Sequence, residues 1–227
     1  DAHYNVTGID HPELVYFMRE NYPDVIFEPY KESMWRLIER KGLPTRTKRF
    51  CCEKLKERGG EGRICITGVR WAESTARSNR RPFEVVTTKK EDKKLFNDND
   101  EGRRLFENCM QKGKRVVNPI IDWLEEDVWE YHESRGIKHC KKYDEGYTRL
   151  GCIGCPMSSK QEKELMDNPK FYNAYCKAME RFLPAYFERC EKRGVKPFRK
   201  TVEEWMYWWL YEPETIDYTD SFLDDEV

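Results

Sequence analysis

Strand-like and helix-like segments alternate over the first 150 residues or so, and this alternation is the feature that most constrains the fold. Short apolar runs bounded by turn residues predict strands at residues 2–7, 25–27, 63–70, 83–87 and 115–121. Helical patterns fall between them at residues 14–20, 34–40, 50–58 and 123–133, the last with Asp122 as N-cap. Such alternation predicts an α/β domain built on a parallel sheet, over residues 1–157.

The pattern changes to helices alone after Cys155. Apolar and aromatic residues at helical spacing predict helices at residues 161–166, 171–193 and 201–211. We therefore expect a helical C-terminal subdomain over residues 158–227. In the α/β part, the strand at 63–70 has the clearest apolar pattern, so we expect Cys65 to be buried there.

Charge and cysteine content narrow the class of protein. The net charge is −1, yet residues 36–58 carry nine Lys or Arg against three Asp or Glu, which indicates an anionic ligand. Nine cysteines occur without a secretory signal or an apolar run of membrane-spanning length. We therefore expect a cytoplasmic protein without a membrane partner, whose cysteines serve metal or redox chemistry in a reducing compartment.

Four cysteines form two pairs that suit a metal centre. Cys152 and Cys155 flank Ile153-Gly154 in a CxxC turn, a spacing that zinc, a redox disulfide and an iron–sulfur cluster all use. Cys51 and Cys52 are adjacent at the start of a predicted helix, where backbone amides favour a thiolate. Together the pairs supply the four ligands of a [4Fe–4S] cluster, and a zinc site with the same thiolates stays an alternative.

Four segments occur in an order that resembles the phosphoadenosine phosphosulfate (PAPS) and adenosine phosphosulfate (APS) reductase family. They are Arg49-Phe50-Cys51-Cys52-Glu53-Lys54-Leu55-Lys56, Gly68-Val69-Arg70-Trp71-Ala72-Glu73-Ser74-Thr75-Ala76-Arg77, Asn118-Pro119-Ile120-Ile121-Asp122-Trp123 and Gly151-Cys152-Ile153-Gly154-Cys155. Residues 5–13 also resemble the family segment that follows its second strand. The resemblance covers residues 1 to about 157.

The resemblance implies an adenine-nucleotide alpha-hydrolase-like (PP-loop) fold that binds ATP or an adenosine phosphosulfate-type nucleotide. It implies that Cys51, Cys52, Cys152 and Cys155 ligate a [4Fe–4S] cluster, with Lys56 between cluster and substrate. It places Arg70, Ser74 and Arg77 at the anionic groups of the nucleotide, a role that suits the planar guanidinium. Thr7 and Gly8 fall in the matched opening segment and are expected to contact the nucleotide.

Two departures from the family pattern bear on activity. The family's Ser-Gly-Gly-Lys-Asp-Ser phosphate loop and its first strand do not occur in this sequence, so we expect another segment or another chain to supply them. Residues 211–227 contain no counterpart of the reductases' C-terminal nucleophilic cysteine. Outside the two pairs, Cys109 and Cys140 are expected to be exposed but match no catalytic position.

These departures favour a sulfurtransferase over a true reductase. Such an enzyme, like the family's DNA-phosphorothioation relatives, would use ATP, a sulfur donor protein and DNA or RNA as acceptor. The alternative from another class is a non-enzymatic [4Fe–4S] subunit that senses redox state or recognises nucleic acid in a larger assembly.

Overall fold

The computed structural model describes residues 1–57, 59–60, 62–86, 93–107, 109 and 113–212. It forms two compact units, one from Asp1–Arg58 with His139–Val227 and one from Gly59–Lys138. Three predicted segments extend beyond the described residues: the helix end at Arg58, the strand end at Thr87 and the cysteine-free tail after residue 212.

Helices and strands are interspersed up to residue 134, with β4 and β5 consecutive among the described elements, and helices follow from residue 161. The strands are β1 His3–Val6, β2 Ile26–Pro29, β3 Ile64–Ile66, β4 Phe83–Val86, β5 Lys94–Phe96 and β6 Lys114–Val117. The helices are α1 Pro12–Asn21, α2 Met34–Lys41, α3 Thr75–Ser78, α4 Asp100–Glu107, α5 Glu125–Ser134, α6 Gln161–Asp167, α7 Pro169–Arg193 and α8 Val202–Tyr211. A π-helical turn spans Cys52–Lys56, and a 3-10 turn spans Trp71–Glu73.

The first unit combines a β-α-β segment with the C-terminal helices. β1 and β2 pair in parallel, with His3 opposite Ile26, and α1 provides the connection between them. The loop after β1 therefore lies at the carboxyl edge of a parallel pair, the edge where open α/β sheets bind their ligands.

The aromatic core of the first unit lies among α2, α7 and α8. On α8, Trp205, Trp208 and Trp209 follow helical spacing and are each buried. Tyr186 of α7 meets Trp205 edge to face at 5.4 Å between ring centroids. The indole N–H of Trp209 donates to the carbonyl of Pro44 at 2.7 Å, which ties α8 to the segment that leads to Cys51.

The second unit contains a mixed sheet with the strand order β3-β6-β4-β5. β3 and β6 are parallel, whereas β4 is antiparallel to both of its neighbours. The expectation of a parallel sheet is therefore wrong for β4, and β5 was not among the predicted strands. For the pair of β4 and β5 the reason is chain length, because residues 87–93 are too few for the crossover that a parallel pair requires.

Strand β3 is shorter and more exposed than its apolar sequence predicts. It covers Ile64–Ile66 only, and these two isoleucines are 53% and 75% exposed. Cys65 is only partly buried, so the prediction that it belongs to the core is wrong. Among the described residues β3 pairs with β6 alone, and the side chains of an edge strand have a neighbouring strand on one side only.

Two predicted boundaries near residue 120 are also corrected. β6 ends at Val117. The side-chain amide of Asn118 then donates to the carbonyl of Arg81 at 2.7 Å and ties the chain to the segment just before β4. Helix α5 begins after Leu124, not after Asp122. The carboxylate of Asp127 accepts the backbone N–H of Leu124 at 2.7 Å, which gives a hydrogen-bond partner to one of the amides that the start of a helix leaves without one.

Among the described residues, no helix combines the length and the apolar character needed to cross a membrane.

Candidate functional site

The loop after β1 is closed on itself by side chains. The carboxylate of Asp10 accepts the backbone N–H of Thr7 at 3.2 Å, and the hydroxyl of Thr7 accepts the N–H of Ile9 at 3.2 Å. Thr7 and Asp10 are buried, whereas Gly8 is exposed at the tip of the turn. These bonds fix the two predicted nucleotide contacts, Thr7 and Gly8, in one rigid turn.

The CxxC segment is docked against this loop. The amide of Ile153 donates to the carbonyl of Ile9 at 2.7 Å, and Asp10 and Cys152 form an antiparallel bridge. The sulfur of Cys152 lies 3.8 Å from the hydroxyl of Thr7 and 3.9 Å from the carboxylate of Asp10. The fold thus brings residue 152 to the carboxyl end of β1, about 145 residues away along the chain.

Lys56 lies near one cysteine of each pair. Its ammonium group interacts electrostatically with Cys152 and Cys52, and the backbone carbonyl of Lys56 accepts the side-chain amide of Asn5 at 2.9 Å. Burial lowers the pKa of Lys56, but the negative charges of Cys152, Asp10 and Cys52 outweigh burial and leave the pKa raised. Lys56 therefore stays cationic beside one member of each pair.

The π-helical turn accounts for this placement. The amide of Glu57 donates to the carbonyl of Cys52 at 2.9 Å, five residues back, which widens the turn. Lys56 then lies about one turn from Cys52, and both face the same region. Such turns are frequent at functional sites because they re-aim a side chain within a helix.

A hydrogen bond between Cys51 and Cys52 shifts the pKa values of the two thiols in opposite directions. The bond from Cys51 lowers the pKa of Cys52 to about 6, and the positive charges of Lys56 and Arg49 act with it against burial. The same bond, together with burial and the charge of the other cysteines, raises the pKa of Cys51. Burial also raises the pKa of Cys152, although Lys56 opposes it. One thiolate at Cys52 is thus readily available.

The structure brings the four cysteines of the two pairs into one region of the first unit, since Cys51 interacts electrostatically with Cys52, Cys152 and Cys155. Within the described part of the chain, no group of three or more His, Cys, Asp or Glu side chains has the arrangement of a metal-ion site. Four thiolates are the number of ligands that a cubane cluster takes, one on each iron, so the donor set has the composition of such a site.

The predicted anion-binding residues lie together in the second unit, around Glu73. Arg70 contacts Glu73 at 3.6 Å and pairs with Glu125 at 2.7 Å, and Arg77 forms an ion pair with Glu73. The side chain of Arg70 is 12% exposed, and its Nη1 atom is buried without a hydrogen-bond partner among the described residues. An anion that binds here would compete with Glu73 for the guanidinium groups.

Ser74 has a structural role in the same segment. Its hydroxyl accepts the amide of Arg77 at 3.3 Å and caps the short helix α3. This cap sets the position of Arg77 relative to Glu73. The hydroxyl can still donate one hydrogen bond to a ligand.

Sequence reasoning missed Asp10 and Glu73, although each carries a signal. Asp10 follows Thr7 by three residues, a spacing at which a side chain closes a turn on the backbone. Glu73 lies three residues after Arg70 and four before Arg77, the spacing of ion pairs in helical turns. The expected exposure of Cys140 was wrong: it is 2% exposed, while Cys109 is partly buried.

Comparison with known families agrees with this arrangement. The family model of the phosphoadenosine phosphosulfate reductase domain matches residues 5–158, which is more than half of the chain. The chain therefore belongs to this family. The match includes both cysteine pairs, Lys56 and the Arg70–Arg77 segment, and it ends before α6 begins.

Individual relatives are distant. An uncharacterized protein of Methanocaldococcus jannaschii is 26% identical over 190 residues, which cover 78% of this chain and 40% of the relative. An adenosine 5′-phosphosulfate reductase of Neisseria meningitidis serogroup B is 27% identical over 175 residues, 70% of this chain and 62% of that enzyme. A probable FAD synthase of Schizosaccharomyces pombe is 27% identical over 97 residues, 40% of this chain and 32% of that protein. The chain thus spans less than two thirds of each of these relatives.

Proposed function

We propose that this chain binds an adenine nucleotide, ATP or a sulfonucleotide, and acts in sulfur transfer or sulfonucleotide redox chemistry beside a [4Fe–4S] cluster. Cys51, Cys52, Cys152 and Cys155 would hold the cluster. When bound, the cluster would supply a redox-active, polarising centre to the site. The α/β part that performs this chemistry corresponds to residues 1–157, with the helical region from residue 158 as its support.

The observation that carries the proposal is the meeting of the two cysteine pairs at Lys56. The pairs lie 100 residues apart in sequence, and Lys56 interacts with one member of each. The CxxC pair also meets the loop at the carboxyl end of β1, where Thr7 and Asp10 contact Cys152. A cation at this place stabilises negative charge on thiolates and on an anionic substrate alike.

The names of two relatives support a nucleotide as ligand, since one is an adenosine 5′-phosphosulfate reductase and the other a probable FAD synthase. In our proposal, Arg70 and Arg77 bind the phosphate or sulfate of the nucleotide, and Ser74 donates its hydroxyl. Glu73 holds both guanidinium groups in position until the anion replaces it. The phosphate-binding loop comes from a segment or chain outside these 227 residues.

We favour a sulfurtransferase over a thiol-dependent reductase. A nucleophilic thiol must be accessible and acidic. Of the five cysteines outside the two pairs, Cys140 and Cys190 are buried to 2% and 1% exposure, and Cys65 and Cys109 are partly buried in the second unit. Cys176 is also partly buried, and burial raises the pKa of its thiol. In the sulfurtransferase, ATP would adenylate a DNA or RNA acceptor with release of pyrophosphate. The outer sulfur of a persulfide on a donor protein would then displace AMP, and a second thiol of the donor protein would reduce the disulfide that forms.

The pairing of Arg70 and Arg77 with Glu73 favours a second candidate. If these arginines serve only to stabilise the second unit, the chain would be a non-enzymatic [4Fe–4S] subunit. It would sense redox state or recognise nucleic acid within a larger assembly.

Anaerobic purification followed by iron and sulfide assays and a binding comparison of ATP, APS and PAPS tests the proposal. We expect about four iron and four sulfide per chain, the content of one cubane. We also expect saturable binding of at least one nucleotide by the protein with its phosphate loop. Stoichiometric zinc without iron would contradict the cluster, and a loaded protein that binds no nucleotide would leave the subunit as the better explanation.

A further inference from the structure

Side chains of the C-terminal helices hold the backbone of the CxxC loop. The hydroxyl of Tyr175, on α7, donates to the carbonyl of Ile153 at 3.0 Å. On α6, Gln161 donates its side-chain amide to the carbonyl of Gly154 at 3.2 Å, and Glu164 accepts the amide of Gly154 at 3.3 Å. Three side chains therefore bond the two residues between Cys152 and Cys155.

All three anchoring side chains are buried, with exposed fractions of 0% for Tyr175, 7% for Glu164 and 9% for Gln161. A buried polar group that loses its partner costs about 1–3 kcal/mol, so the loop cannot leave this conformation without leaving such groups unsatisfied. The bonds thus stabilise one conformation of the loop and, with it, the positions of the two flanking cysteines.

Tyr175 is the most constrained of the three. Its ring packs against Trp35 at 5.2 Å and Trp209 at 4.9 Å between centroids. A Cβ atom on Gly154 would lie 3.2 Å from Cε2 of the Tyr175 ring, so the ring covers the inner face of the loop. The hydroxyl is therefore aimed at the loop by packing on several sides.

The surroundings keep Tyr175 a neutral donor. Burial raises its pKa well above the usual value, and the charges of Cys152, Cys51 and Cys155 raise it further. Tyr175 thus lies close enough to three of the four proposed ligands to interact with them electrostatically. A neutral hydroxyl can donate to the Ile153 carbonyl across the working pH range.

We propose that Tyr175 and Gln161 are positioning residues that hold Cys152 and Cys155 in the geometry for metal ligation. The cluster part of this inference rests on the proposed function. Both residues lie beyond residue 158, where the family match ends, so this chain's own helical region would do the positioning. Removal of either positioning group would make the thiols of Cys152 and Cys155 more mobile without removing a ligand.

Tyr175→Phe tests the inference, with Tyr186→Phe as its matched control. Tyr186 also lies on α7 and is 0% exposed, and its hydroxyl also binds backbone, accepting the amide of Phe198 at 2.7 Å. The two changes therefore remove the same atom from similar surroundings. Only the first removes a bond to the CxxC loop.

The first measurement uses metal-free protein. Brief alkylation with iodoacetamide, followed by mass spectrometry, gives the reaction rates of Cys152 and Cys155, with Cys65 of the other unit as internal reference. We expect Tyr175→Phe to react about five- to tenfold faster at Cys152 and Cys155, the change that one lost hydrogen bond makes to a local opening equilibrium. Tyr186→Phe should react like the unmodified chain.

The second measurement uses the iron-loaded protein and an iron chelator. Tyr175→Phe should release iron about five- to tenfold faster than Tyr186→Phe, for the same reason. Equal alkylation and equal iron release in the two variants would overturn the inference. An unmodified chain that takes up no iron would refute the cluster, and the alkylation rates would still decide whether Tyr175 holds the loop.

A general loss of stability must be separated from loosening of the loop. If Tyr175→Phe unfolds at a lower temperature than Tyr186→Phe in the metal-free state, Gln161→Met replaces it as the test. Methionine keeps the volume of the glutamine side chain but cannot donate to the Gly154 carbonyl. Faster alkylation of Cys152 and Cys155 in Gln161→Met supports the inference, and an unchanged rate overturns it.

Discussion

Replacement of Gly154 by alanine should disrupt the CxxC turn for two separable reasons. Gly154 has a φ of +74°, a conformation that residues with a Cβ atom rarely adopt. A Cβ atom there would also lie 3.0 Å from Cδ2 of Leu165 and 3.2 Å from Cε2 of Tyr175. Both neighbours are buried, so neither can move away into solvent.

The two effects can be estimated and compared with a control. The left-handed conformation costs an alanine about 1–2 kcal/mol, and overpacking of a buried site costs about 1–3 kcal/mol more. We therefore expect Gly154→Ala to lower the free energy of unfolding by about 2–5 kcal/mol. Gly146 in the same unit has a φ of +85°, and a Cβ atom added to it would meet no heavy atom within 4 Å. Gly146→Ala should therefore lose only the conformational part of the stability, about 1–2 kcal/mol.

Urea denaturation of the metal-free variants, followed by near-ultraviolet circular dichroism, measures the difference. The buried tryptophans Trp205, Trp208 and Trp209 report on the core of the same unit. Gly154→Ala should unfold at lower urea concentration than Gly146→Ala. If both variants lose the same stability, the contacts of Leu165 and Tyr175 do not restrict residue 154, and the reasoning on the loop is refuted.

Further predictions concern the ligands, the nucleotide and the reaction. Cys152→Ser should lose iron and sulfide after anaerobic preparation, because it removes one of the four proposed ligands, whereas Cys190→Ser should retain both. Cys152→Ser should also be less stable, because metal ligation contributes folding free energy. Arg70→Ala, in the protein with its phosphate loop, should weaken nucleotide binding by about 1.5–3 kcal/mol in calorimetry, with partial recovery in Arg70→Lys. Arg103→Ala, which removes an exposed ion pair with Asp98 in the same unit, should leave binding unchanged. Radiolabelled sulfite should not appear from APS or PAPS with thioredoxin; its appearance above a no-enzyme control would contradict the sulfurtransferase.

The sequence alone determined the helical region and the family to which the chain belongs. Helices α7 and α8 follow the predicted segments closely, because their apolar spacing and their hydrogen bonds are local in sequence. The family match at residues 5–158 confirms the resemblance that the motifs indicated. The roles of Cys51, Cys52, Cys152 and Cys155 as ligands stay predictions.

Only the tertiary structure decided which residues meet. Ile64 and Ile66 have the apolar pattern of a core strand, yet β3 lies at a sheet edge and leaves them exposed. Strand burial depends on neighbours that are distant in the chain, so the local pattern cannot determine it. The antiparallel direction of β4 likewise depends on partners outside its own segment.

Contacts between residues that are distant in the chain also decide which side chains form the candidate site. Contacts of Asp10 with Cys152 and of Tyr175 with Ile153 join residues that are 142 and 22 positions apart, and no local spacing predicts either. Glu73 carries a helical ion-pair spacing to both arginines, but its simultaneous contact with Arg70 and Arg77 depends on the turn that the chain makes between them. The sequence supplied the reactive groups, and long-range packing set which of them lie close enough to act together.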